Sequence, residues 1–162
     1  IEVTVYGKCR DLKSLFDVDV RVINLNKEEY VKSGSAYILK VGNKIASKIK
    51  SDTNLYLSIF YEDGNDGRVV LLSPYRPSLN NYNEELRANK EEFFNLSGES
   101  WDMENPSALS KIYYVFSVNK FTYDAENPYS PNFSREEFFN ILFKWKKSEK
   151  FLVREIPLII EK

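Results

Sequence analysis

Residues 41–75 read VGNKIASKIKSDTNLYLSIFYEDGNDGRVVLLSPY. The stretch divides into three strand-like runs and two turns. Lys44 to Lys50 places Ile45 and Ile49 on one face and Lys44, Lys48 and Lys50 on the other. Ser51-Asp52-Thr53-Asn54 is turn chemistry, because short polar side chains can bond their own backbone. Leu55, Leu57, Ile59 and Tyr61 then alternate with Tyr56, Ser58 and Phe60, the period of a strand. Asp63-Gly64-Asn65-Asp66-Gly67 predicts a hairpin turn. The returning run Val69-Val70-Leu71-Leu72 is apolar on both faces, which places its strand centrally in a sheet.

The same period extends outward on both sides. Ile1, Val3, Val5 and Cys9 share a face over Ile1 to Arg10, and Val18, Val20 and Val22 share one over Val18 to Leu25. Ala36-Tyr37-Ile38-Leu39 follows a turn at KSGS. Pro74 to Ser110 is rich in Asn, Pro and Glu, and a short helix or irregular strand fits Glu84 to Leu96. Lys111 to Lys120 is a clear strand. Near the C-terminus the period becomes helical. Ser134-Arg135-Glu136-Glu137 is a capping box, in which the Ser134 hydroxyl accepts the Glu137 N–H and the Glu137 carboxylate reaches back. Phe133 and Phe138 flank it as a hydrophobic staple. Phe138, Ile141, Leu142 and Trp145 form one stripe at 3.6 spacing, giving a helix over residues 134–148. Phe151 to Glu161 closes as a strand, with Pro157 marking an edge or a bulge.

The chain has 162 residues, of which 43% are hydrophobic and 15% aromatic. That suits one globular domain with a core that needs no staples. With 23 basic and 24 acidic residues, it lacks the basic excess of a nucleic-acid binder. No His means no Ser-His or Cys-His dyad and loses the commonest general base. One Cys excludes an intrachain disulfide and a thiolate zinc site. Apolar runs of a few residues are too short for a transmembrane helix. The chain opens at Ile1 in a strand-like pattern without a signal peptide, and is read as a fragment or processed product, with residues 1–10 the end of a preceding region.

Candidate chemistry is sparse. Asp63, Asn65 and Asp66 resemble the start of a calcium loop, but Pro74 stands where the loop's Glu is needed, so a hairpin is the better reading. Lys44, Lys48 and Lys50, with Lys111 and Lys120, read as solvated faces. The adjacent carboxylates Glu84/Glu85, Glu91/Glu92 and Glu136/Glu137 do not imply the facing pair a glycosidase requires. Asn95-Leu96-Ser97 and Asn132-Phe133-Ser134 match the glycosylation acceptor pattern. Among Tyr75, Tyr82, Trp101, Tyr113, Tyr114, Tyr123 and Tyr129, most are expected to pack. Trp101 and Tyr129, in polar loop-like segments, together with Tyr75, are the aromatics assigned to ligand contact.

Val41-Gly42, Ser51-Asp52, Tyr56-Leu57-Ser58-Ile59-Phe60, Asp66-Gly67 and Val69-Val70-Leu71-Leu72-Ser73-Pro74 together resemble the core pattern of the bacterial domain of unknown function 4384 family. Ser73 and Tyr75 depart from it, where that family usually has an aromatic and Asn. The resemblance extends to Lys144-Trp145 in the C-terminal helix, with residues 41–120 the family-like core. It implies a β-rich, extracytoplasmic, lipoprotein-associated module and brings no catalytic residues. The expected fold is therefore mainly β, an antiparallel β-sandwich or open barrel of seven or eight strands with one C-terminal amphipathic α-helix. The expected function is a non-catalytic interaction module of a bacterial cell-envelope or secreted protein, located in the periplasm or at the outer membrane. It would bind a protein partner or a glycan, with no nucleic acid, cofactor, metal or catalytic residue. Rival readings are a carbohydrate-binding module using exposed aromatics and, behind it, a carboxylate-dependent hydrolase.

Overall fold

A computed structural model of the chain describes residues 16–26, 31–33, 36–74, 82–96, 106–123, 131–148 and 150–162. These form eleven strands and one helix: β1 (Val18–Asn24), β2 (Val31–Ser33), β3 (Ala36–Lys40), β4 (Ile45–Ser51), β5 (Leu55–Glu62), β6 (Val69–Ser73), β7 (Glu84–Leu86), β8 (Glu91–Asn95), β9 (Ser107–Ser117), β10 (Asn132–Phe133), α1 (Arg135–Ser148) and β11 (Phe151–Glu161). A three-stranded sheet runs in the order β1-β4-β8. An eight-stranded sheet runs β10-β6-β5-β9-β11-β3-β2, with β7 also on β5. All pairs are antiparallel except β3 with β11. The arrangement is sandwich-like and not a closed barrel.

The period-2 pattern explains the layers, because successive side chains on a strand point to opposite faces. On β5, Leu55, Leu57, Ile59 and Tyr61 face the small sheet. There they join Val18 and Val22 of β1, Ile45 and Ile49 of β4, and Ile112, Tyr114 and Phe116 of β9 in one apolar core. The alternate residue Phe60 faces the other way, toward Tyr113 and Val115 of β9 and toward α1. The large sheet is thus a middle layer, with a sheet on one face and a helix on the other. One polar contact crosses the inter-sheet core: the Ser47 hydroxyl lies 2.6 Å from the Tyr114 hydroxyl. Both residues are fully buried, so the pair satisfies two groups that would otherwise be costly there.

The turns within residues 41–75 do two different jobs. Asn43 N–H donates to the Lys40 carbonyl at 3.0 Å, and Gly42 takes φ 86°, the geometry of a type II turn. This turn passes the chain from β3 in the large sheet to β4 in the small one. Ser51-Asp52-Thr53-Asn54 passes it back. The Ser51 hydroxyl donates to the Thr53 carbonyl, and Asp52 exchanges hydrogen bonds with Asp17. Asp63 to Gly67 is the predicted hairpin, joining β5 to β6. The Asp63 and Asp66 carboxylates accept the Asn65 and Arg68 N–H groups, both at 2.8 Å.

One sequence expectation about lateral position fails, and layering is the reason. Val69 to Leu72 was expected to be central, yet among the described residues β6 is flanked on its outer side only by the two-residue β10. Its double-faced apolarity comes from layers above and below: Val69 packs on the helix side, Val70 and Leu72 on the sandwich side. Pro157 was expected at an edge or a bulge. That agrees with the structure: among the described residues β3 pairs β11 from Leu158 onward, so Pro157 has no partner on that side, and the register against β9 shifts just beyond it, between Leu158 and Ile160. The segment Glu84 to Leu96 is two short strands, β7 and β8, and not a helix. The strand expected at residues 1–10 lies outside the described residues.

Gly64 and Gly42 separate two uses of glycine. A Cβ on Gly64 would fall onto the Leu109 carbonyl, which is backbone and cannot swing away. At Gly42 a Cβ meets nothing within 4 Å, and only the positive φ is a cost. In urea denaturation, Gly64→Ala should lose more than about 3 kcal/mol or fail to fold, whereas Gly42→Ala should lose about 1–2 kcal/mol. Equal losses at the two positions would contradict this packing.

Candidate functional site

The candidate site is assembled where α1 meets the β6 edge of the large sheet. Ser134 caps the helix, its hydroxyl accepting the Glu137 N–H at 3.1 Å. Phe133 and Phe138, the staple pair, are both buried in the helix-side cluster. Phe138 packs on Phe60 and Tyr113 with ring centroids 4.9 and 5.1 Å apart, and Trp145 meets Phe121 edge-on at 5.0 Å. Tilted and edge contacts of this kind suit the ring quadrupole. The predicted stripe Phe138, Ile141, Leu142 and Trp145 is the face that α1 turns to the sheet.

An ion pair fixes the start of the helix to the end of β5. The Arg135 Nε donates to Glu62 Oε1 at 2.8 Å, and the Tyr113 hydroxyl donates to the same oxygen at 3.3 Å. The Glu62 side chain is only 3% exposed while that of Arg135 is 58% exposed. The carboxylate therefore depends on its partners, and the guanidinium keeps contact with water. Burial, and then the Glu62 and Glu155 carboxylates, push the Tyr113 hydroxyl well above the usual tyrosine range. The bond to Glu62 likewise holds Arg135 above its ordinary value. Tyr113 is thus a fixed hydrogen-bond donor in this cluster.

With the helix so anchored, a shallow open groove of about 440 Å³ lies along its flank. Arg68 and Asn132 line one wall, Glu137, Asn140 and Lys144 line the other, and Phe133 and Ile141 complete it. The Arg68 Nε donates to Asn132 Oδ1 at 2.7 Å, which orients both side chains. The helix spacing 137, 140, 141, 144 puts these positions on one flank. The groove offers two amides, two cations and one carboxylate. Glu137 both takes its place in the helix cap and lines the groove.

The sequence reading did not find this site. Of its aromatic candidates, Tyr82, Tyr113 and Tyr114 are buried in the core, and Tyr123 is half-buried against Tyr82 and Phe133. Trp101, Tyr129 and Tyr75 lie outside the described residues. Lys44, Lys48 and Lys50 are exposed, with Lys48 3.9 Å from Glu91. The paired glutamates disperse: Glu84 accepts from Ser73, Glu92 pairs Lys90 at 3.1 Å, and Glu136 and Glu137 sit in the first helical turn. From sequence Asn132 stood out only within a glycosylation pattern, and Arg68, which shares its wall, lies 64 residues away.

The chain matches no protein-family model and no curated protein sequence. Its functional reading therefore rests on the residues themselves.

The helix anchor can be measured directly. Arg135→Met leaves the buried Glu62 carboxylate with Tyr113 alone and should cost about 1–3 kcal/mol of stability. Glu62→Gln retains an acceptor, and the double variant should be less destabilised than the sum of the two, as for any pair in contact. Strict additivity in that cycle would show that the pair does not pin α1.

Proposed function

We propose that the chain is a non-catalytic interaction module that takes an acidic glycan in the groove between Arg68 and α1. The observation that carries this reading is the lining itself. Asn132 and Asn140 can each donate and accept to sugar hydroxyls, while Arg68 and Lys144 supply charge for a carboxylate or sulfate group. Phe133 and Ile141 give apolar surface for the faces of the rings. Few convergent polar groups around apolar contact is the usual make-up of a ligand site. Glu137 is the one carboxylate among the lining residues, whereas glycoside hydrolysis uses two across a cleft. Placement in the bacterial envelope, as a periplasmic or secreted module, rests on the resemblance carried by residues 41–75.

The test is a nuclear magnetic resonance titration with tetragalacturonate and, separately, neutral chitotetraose. The side-chain amide signals of Asn132 and Asn140 should shift with the acidic tetramer, and Arg68→Ala should weaken binding roughly tenfold or more, the worth of one charge-assisted hydrogen bond. Shifts confined to other regions would overturn the groove assignment. Release of reducing ends during the titration would overturn the non-catalytic one.

A further inference from the structure

The outer side of α1 carries a second feature that the groove does not use. Phe143 is 60% exposed and Phe139 is 40% exposed, one helical turn apart on the same side. Single exposed apolar residues are ordinary, but contiguous ones mark contact surfaces. Phe143 stands about 140° round the helix from the fully buried Phe138, so it crowns a convex ridge. The Lys147 Nζ lies 4.6 Å from the centre of its ring. Residues 143–150 read FKWKKSEK, four lysines to one acid. Lys144 belongs to the groove, while Lys146, Lys147 and Lys150 are exposed on the side away from it. The turn after β9 meets the same end: the Val118 N–H donates to the Lys150 carbonyl at 3.3 Å. Val118 is itself 43% exposed, and the adjacent Lys120 is exposed beside it.

We propose that this end of the molecule, the C-terminal half of α1 with the 118–120 turn, docks on an anionic phospholipid surface. Charge fixes the sign of the partner, because Lys146, Lys147 and Lys150 gather at the C-terminal end of the ridge, away from the acidic first turn of the helix. Shape favours a bilayer over a folded protein. A convex ridge needs a partner that moulds around it, and the interface of a bilayer does so. Phe143 and Val118 would enter the headgroup–acyl boundary, while the lysine stems lie along the surface and their heads reach phosphates. Each lysine near such a surface adds a modest, salt-sensitive attraction. This inference is independent of the groove, which opens on the other flank of the helix.

Co-sedimentation of the full chain with large unilamellar vesicles tests it. Vesicles of phosphatidylglycerol and phosphatidylcholine in equal parts should bind at least tenfold more protein than pure phosphatidylcholine in 50 mM salt. The difference should collapse in 500 mM salt. The double variant Lys146→Gln/Lys147→Gln should weaken binding roughly tenfold or more, and Phe143→Ser should weaken it without altering circular dichroism, since the ring is mostly exposed. Equal binding to both vesicle types, or charged-vesicle binding indifferent to both variants, overturns the proposal. Capture of soluble polyglutamate, dependent on Phe143, with no vesicle preference would also overturn it, in favour of an acidic protein partner.

Discussion

The pairing of β5 with β9 is the constraint on which the rest of the structure hangs. Seven residue pairs join these strands, from Tyr56↔Ser117 to Glu62↔Lys111. The ladder is covered on both faces, by the small sheet through Leu57, Ile59 and Tyr114, and by the aromatic cluster under α1 through Phe60 and Tyr113. Along the paired stretch each strand therefore commits side chains to both faces. A one-residue slip would send the small-sheet residues to the helix side and Phe60 to the sandwich side. Register here decides where both outer layers can sit.

Much of this was legible because the period-2 signal is strongest where burial is deepest. The alternation in Leu55 to Tyr61 predicts the two-faced middle strand, and Phe138, Ile141, Leu142 and Trp145 predict the contact face of α1. What periodicity cannot convey is lateral order in a sheet. Residues Val69 to Leu72 are apolar on both faces because layers cover them, and they lie next to the smallest strand of the sheet. The short strands β7 and β8 were blurred for another reason. Five residues or fewer hold too few periods to tell a strand from a helix turn, and the β8 pairing with β4 decides the matter only in three dimensions.

The polar features were less legible still, for reasons of distance along the chain. Glu62 looks from sequence like the polar end of a strand. It is the same-face neighbour of Phe60, and that position carries it under the helix to a partner 73 residues away. Arg135 reads only as filler inside a capping box. The groove needs Arg68 and Asn132 brought together by the short β6–β10 pairing. The aromatic rings divide between the two sides of the large sheet: Tyr61, Tyr114 and Phe116 join the sandwich core, and Phe60, Tyr113 and Phe138 the helix–sheet interface.

One helix thus presents three surfaces: a buried aromatic face, a polar flank on the groove, and a basic ridge toward solvent. The two outer surfaces are useful only if the first is rigid, and its rigidity derives from the β5–β9 ladder. Native-state hydrogen exchange tests that dependence most directly. The account predicts that amides of β5 and β9, from Leu57 to Tyr61 and Ile112 to Phe116, exchange last and only through global unfolding. Slower exchange in β1, β4 or α1 than in this ladder would contradict it, because a peripheral layer would then be holding the centre.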